Sequence, residues 1–390
     1  MLRSRRRVTI VLGLTQTLAW ASSYYLPAIL ADAIARDLGL SSTAVFAAFS
    51  AALLVSALLG PRIGRTIDAV GGRGVLAFSN IVFAAGLALL GGSHSPLAMW
   101  GAWLLLGVGM SLGLYDTAFA ALGRIYGEAA RPAITGITLL AGLASTVGWP
   151  LSAWGLAEYG WRATCFGWAA AHLIVGLPLN RFLLPAVAPQ SPPDEALQKP
   201  RISFDRNMML LSIAFASVWT VTGAMAAHFP RLLHDAGASA SDAVIAGALI
   251  GPAQVFARAL EAGFFGGLHP LLSARISTIT HPLGAAVLAI FGGGAAAAAF
   301  AVLHGLGNGV LTIARGTVPL AIFGPGDYGY RLGLLGAPAR VAQAISPLLF
   351  GVLIEAWGTR ALLLSSALCG VSLLSLLLVD ARRETPERAH

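Results

Sequence analysis

Long apolar blocks, separated by short charged or Pro/Gly punctuation, constrain this chain more than any other feature. Val8 to Leu30 and Phe46 to Leu59 are examples. Each block approaches the roughly 20 residues that a helix needs to cross a hydrocarbon core. The blocks lack β-alternation, and in lipid only helices and closed barrels satisfy every backbone group, so they read as membrane helices. Composition agrees: 57% of the 390 residues are hydrophobic, 11% are charged, and the mean hydropathy is +0.77. A water-facing surface cannot be built from so few charges. The 46 glycines suit helices that pack closely without a hydrophobic driving force.

The net charge of +8 does not point to nucleic acid, because the basic residues sit in short loops and form no patch. Cys165 and Cys369 both lie in apolar stretches and make neither a disulfide framework nor a metal site. No cofactor is expected. Arg3, Arg5, Arg6 and Arg7 precede an apolar run, and Ala19-Trp20-Ala21 fits the form of a signal-peptidase site. The first span has a partner in the second half of the chain, however, and is expected to stay.

The expected spans are 8–30, 43–62, 74–92, 97–122, 132–156 and 162–184, then 207–230, 242–265, 276–294, 297–322, 334–356 and 360–380. The tightest connection falls at Gly292-Gly293-Gly294. With the N-terminus in the cytoplasm, 18 of the 25 Lys and Arg residues fall in cytoplasmic segments, as the positive-inside rule requires. Both termini are therefore expected in the cytoplasm, with the chain in a cell inner membrane. The stretch 185–206 carries five prolines and several charges and reads as a linker. It divides the chain into an N-terminal six-helix half, 1–184, and a C-terminal six-helix half, 207–390.

Those halves match at an offset near 198. Trp20 corresponds to Trp219, Asp37 and Gly39 to Asp235 and Gly237, and Gly107 and Gly109 to Gly305 and Gly307. Pro150 and Glu158 correspond to Pro347 and Glu355, and Gly160 and Arg162 to Gly358 and Arg360. A nearly constant offset from the first span to the sixth indicates a parallel six-helix repeat, an architecture used by membrane transporters.

The loop after the second span, Gly64-Arg65-Thr66-Ile67-Asp68-Ala69-Val70-Gly71-Gly72-Arg73, resembles the signature loop of the major facilitator superfamily. Gly64, Asp68, Gly71 and Arg73 match that pattern, whereas Ala69 and Gly72 stand where it has basic residues. The resemblance implies an all-α integral membrane protein with twelve transmembrane helices in two pseudo-symmetric halves. It also implies that Asp68 pairs with basic groups and helix termini to lock an outward-open state, with Arg124 as a partner. Gly148-Trp149-Pro150 departs from the superfamily's antiporter motif. Asp116 stands in the fourth span, which lacks the arginine of many of its drug–proton antiporters.

Ionisable residues inside spans cost roughly 2.5–3.5 kcal/mol at a helix centre by insertion measurements, and they mark pathways. Here they are Asp116, Arg258, Glu261, Arg315 and Arg340, accompanied by Gln16, His228, Gln254, His304, Asn308 and Gln343. Asp116 and Arg315 are repeat mates, and the resemblance places them opposite each other across a central cavity. There they would sense substrate or a proton, or else form a static ion pair. Arg258 and Glu261, three residues apart, can pair locally, with Arg340 joining them, or contact substrate; Arg258 is placed on the pathway, and Glu261 and Arg340 are gating residues. Trp20, Tyr24 and Trp219 could wall a ligand site; aromatic residues near span ends also serve as interfacial anchors.

Three intramembrane arginines against two carboxylates favour a small anionic solute, since arginine suits planar carboxylates. The partners expected are that solute, protons carried by Asp116, and the lipid bilayer, with the monomer as the working unit. Export is preferred to import. Import of a neutral nutrient, multidrug efflux and a non-transporting membrane sensor are the alternatives. An enzyme is disfavoured, because no residue cluster has catalytic or metal spacing.

Overall fold

The computed structural model describes residues 2–188, 202 and 204–380. Most of the expected linker, with Lys199 and Arg201, lies outside them, as do Arg382, Arg383 and Arg388. Among the described residues every regular element is helical. In chain order they are α1 (Leu2–Ser22), α2 (Pro27–Leu38), α3 (Ser42–Val70), α4 (Gly72–Gly91), α5 (Pro96–Gly113), α6 (Tyr115–Tyr126) and α7 (Arg131–Ala141). There follow α8 (Ala144–Ala171), α9 (Arg206–Asp235), α10 (Ala240–Gly263), α11 (Pro270–Phe291), α12 (Gly293–Phe323), α13 (Tyr328–Trp357) and α14 (Ala361–Leu378).

Local chemistry sets many of the starts. The Ser41 and Ser95 hydroxyls accept from the first turns of α3 and α5, and Asp205 accepts from the Met208 N–H at the start of α9. Ser239 and Asp242 close a reciprocal capping box on α10. The turn expected at Gly292 and Gly293 joins α11 to α12, with φ of 61° and 72°.

Among the described residues eight helical runs are long and apolar enough to cross a membrane. Some hold more than one expected span, because the chain reverses without a long loop. Inside α8 the backbone leaves the helical region at Gly160 (φ 81°, ψ 166°), so two helices meet there. α1 falls outside the eight because its N-terminal arginines dilute its apolar character.

Three spans read as continuous are broken. The first is interrupted between Ser22 and Pro27, the fourth at Leu114, and the fifth at Gly142 and Leu143. Their counterparts in the second half, α9, α12 and α13, run unbroken for 30, 31 and 30 residues.

Four buried apolar clusters hold the molecule together. Two draw chiefly on residues before 188 and two on residues after 206. The second cluster also takes in Leu320, Tyr328 and Leu332, which bind the two parts of the chain at one end.

Candidate functional site

The break at Leu114 creates the central site. Leu114 is extended (ψ −173°), so α6 begins afresh at Tyr115 and Asp116 falls in its first turn. A carboxylate there meets the positive end of the helix dipole. The break orphans backbone acceptors, and side chains replace the lost bonds. Gln16 Nε2 donates to the Gly113 carbonyl at 2.6 Å, and Thr117 Oγ1 donates to the Ser111 carbonyl at 2.7 Å.

Asp116 Oδ2 accepts from Arg315 Nη2 at 2.7 Å and from Arg340 Nη2. All three residues are at least 92% buried. The structure thus brings Asp116 and Arg315 together from α6 and α12. It also corrects the grouping of Arg340, which sits on α13 at the centre and not with Arg258 and Glu261. Spacing could not show this, since the rotation of α13 about its axis follows from its packing on α3. Arg340 Nη1 also donates to the Ser56 carbonyl at 3.4 Å.

Two guanidiniums converge on one carboxylate oxygen, and Asp116 Oδ1 is buried without a partner. The formal charge of the triad is +1. Trp219 lies beneath the Arg315 guanidinium, 4.8 Å from it, in cation–π contact. Trp20 packs on Tyr115 and Tyr24 with ring centroids 4.8 and 5.1 Å apart. Tyr24 accepts a hydrogen bond of 2.6 Å from Gln343 on α13.

A second set of residues joins the two parts of the chain at one end. Asp68 Oδ1 and Oδ2 accept from the backbone N–H groups of Gly329 and Tyr330, at 2.8 and 2.7 Å, in the first turn of α13. Arg124 donates to the Asp68 backbone carbonyl at 2.9 Å, not to its carboxylate, which the helix start already occupies. Gly64 lies directly against α13: a Cβ built there would be 2.0 Å from the Gly329 carbonyl oxygen. Gly71 carries φ 84° in the turn into α4, a conformation that suits glycine. Arg73 makes no ion pair among the described residues.

The expected local pair of Arg258 and Glu261 does not form. Arg258 Nη1 donates across to the Thr138 carbonyl of α7 at 3.0 Å, and Glu261 meets Arg131, the first residue of α7, at 3.0 Å. Both side chains reach a neighbouring helix, which local spacing does not reveal. Asn308 accepts from Thr222 at 3.1 Å and lines a cavity with His281 and His304, whose lining includes no residue of the Asp116 triad. His281 and His304 touch through their Nδ1 atoms at 3.0 Å, and His228 bonds the Pro347 carbonyl at 2.7 Å.

Sequence reasoning missed Arg131 as a contact residue. Its position 198 residues before Gly329 carries meaning only once the structure sets Gly329 against Asp68.

Helical runs long and apolar enough to cross a membrane define a multi-pass membrane protein, and the family match makes it one of the secondary transporter kind. A family model described as Major Facilitator Superfamily matches residues 12–301, and the chain belongs to that family. Its fold is similar to that of the human organic anion transporter MFSD10 (TETRAN), with a TM-score of 0.75 at 17% identity, covering 96% of this chain and 99% of that one. It is equally similar to the transporter FucP in the outward conformation, with a TM-score of 0.75 at 13% identity, covering 97% and 99%. No curated protein matches the sequence.

Proposed function

We propose that this protein carries a small organic anion by alternating access, coupled to protons through Asp116. The observation that carries the reading is the triad: two buried guanidiniums share one carboxylate oxygen and leave a net positive charge at the centre. With Asp116 ionised, an incoming anion competes with it for Arg315 and Arg340. Protonating Asp116 removes the competitor and frees both arginines for bidentate contact. Proton and anion then bind together and move in the same direction. A proton gradient directed into the cell drives uptake under this linkage, so the export favoured by the sequence gives way to import. The organic anions in the name of the human structural neighbour are consistent with this cargo.

The bodies that rock are the halves 1–184 and 207–390. The closed end carries Arg65, Arg73, Arg124 and Arg131, and positive-inside reasoning assigns it to the cytoplasm. Asp68 and Glu261 hold that end shut.

The test is ligand-induced thermal stabilisation of the purified protein by metabolite anions, neutral nutrients and lipophilic cations. An anion at 100 times its Kd should stabilise by about 2.7 kcal/mol, more strongly at low pH than at high pH. Arg315→Ala should weaken its binding about 10- to 100-fold, the range set by one charge-assisted hydrogen bond. Asp116→Asn should remove the pH dependence of binding, since an amide takes up no proton. Stabilisation of wild type and Arg315→Ala alike by cations or neutral solutes would return the triad to a static role.

A further inference from the structure

We propose that the transported anion is an aromatic carboxylate, held with its carboxylate at Arg315 and Arg340 and its ring against an aromatic wall that begins beside Asp116. The proposal rests on the anion reading above and specifies the body of that anion.

The chain brings the wall next to the triad at two points, α6 and α13. Tyr115, next to Asp116 in sequence, packs on Trp20 at 4.8 Å, and Trp20 on Tyr24 at 5.1 Å. Tyr24 continues to Tyr25 at 5.4 Å and to Phe49 at 5.5 Å. Its hydroxyl is held by Gln343, which lies three residues from Arg340 and therefore on the same face of α13. Arg315 is fixed from its other side by Trp219.

Trp20, Tyr24, Tyr25 and Phe49 are half-buried. Core rings such as Trp103 and Phe83 in the same part of the molecule are fully covered. The break between α1 and α2 is what turns Tyr24 and Tyr25 toward this region instead of along a continuing helix. Trp20 Nε1 is buried without an acceptor.

A flat ring between such faces gains offset or edge contacts that a saturated ring of the same charge does not. Pairs of aromatic rings are worth about 0.5–1.5 kcal/mol beyond area burial, equivalent to about 2- to 12-fold in affinity. Purified full-length protein should therefore bind benzoate and 2-naphthoate at least about threefold more tightly than cyclohexanecarboxylate and decahydro-2-naphthoate, their saturated counterparts. Trp20→Leu should shrink the ratio of aromatic to saturated affinity toward one.

Equal affinity within each matched pair in the wild type would overturn the proposal and leave the anion reading standing. So would binding confined to aliphatic anions. If no anion of any kind binds, the anion reading itself falls and this proposal with it. The wild-type comparison decides the matter even where Trp20→Leu does not fold.

Discussion

Two contacts tie the parts of the chain together at one end, built on one plan and executed in different chemistry, and the proposed alternating access makes them latches. In each half an acid stands two residues before the end of a long helix: Asp68 in α3, which ends at Val70, and Glu261 in α10, which ends at Gly263. Each reaches the first turn of a helix from the other half. Asp68 takes the backbone N–H groups of Gly329 and Tyr330. Glu261 takes the side chain of Arg131, the repeat mate of Gly329.

A backbone latch requires the two helices to come very close. That is why Gly60 and Gly64 face Gly333 and Gly329 at the α3–α13 crossing. A side-chain latch spans a wider gap, so α10 and α7 need no such pairing. Arg131 also donates to the Leu268 carbonyl at 2.6 Å, and Glu261 Oε2 is left buried and unpartnered. The first latch is tight and fully satisfied. The second is longer and only half used.

The harshest way to break the comparison is Gly64→Leu. Its Cβ would lie 2.0 Å from the Gly329 carbonyl oxygen, a backbone atom that cannot step aside alone. The α3–α13 crossing should open, and both Asp68 bonds should be lost with it. A spin-label pair placed across the ends of α3 and α13 should show the short distance replaced by a longer one. An unchanged distance distribution would mean that the crossing is not what closes this end.

Asp68→Asn comes next. One carboxylate oxygen becomes a donor facing another donor, so at least one backbone N–H loses its acceptor. Charge-assisted bonds are worth about 1.5–3 kcal/mol, which lowers the closed-to-open ratio about 10- to 100-fold. The same label pair reads this as a mixed population, with the crossing itself intact.

The difference between the latches also explains what the sequence disclosed. Asp68, Gly64 and Gly71 were legible because close approach and a positive φ restrict residue type and leave a pattern in one short loop. Asp116 and Arg315 were legible as charges in apolar helices at matching repeat positions. Arg340 and Glu261 were visible as charges, but their partners were not. Arg340 meets a residue 224 positions away and Glu261 one 130 positions away, and neither separation leaves a local trace. The helix breaks were illegible for another reason. The fourth span carries no Pro at Leu114, and the bonds that stabilise its break come from Gln16 on α1 and from Thr117 across the gap. Tertiary hydrogen bonding overrides a run that reads as one helix.

Glu261→Gln should have the smallest single effect. Arg131 is about one-fifth exposed, and it keeps its bond to the Leu268 carbonyl when the charge is removed. A loss of about 1 kcal/mol is expected, roughly fivefold in the closed population. Combining it with Asp68→Asn sharpens the comparison further. If the latches act as separate contacts that oppose the same opening, their free energies add to within about 0.5 kcal/mol, as for distant sites that share no partner. The double variant should then be about fivefold more open than Asp68→Asn alone. Should Glu261→Gln do nothing once Asp68 is replaced, the arginine latch forms only after the backbone latch has drawn the helices together. The two would then be steps of one closure and not parallel locks.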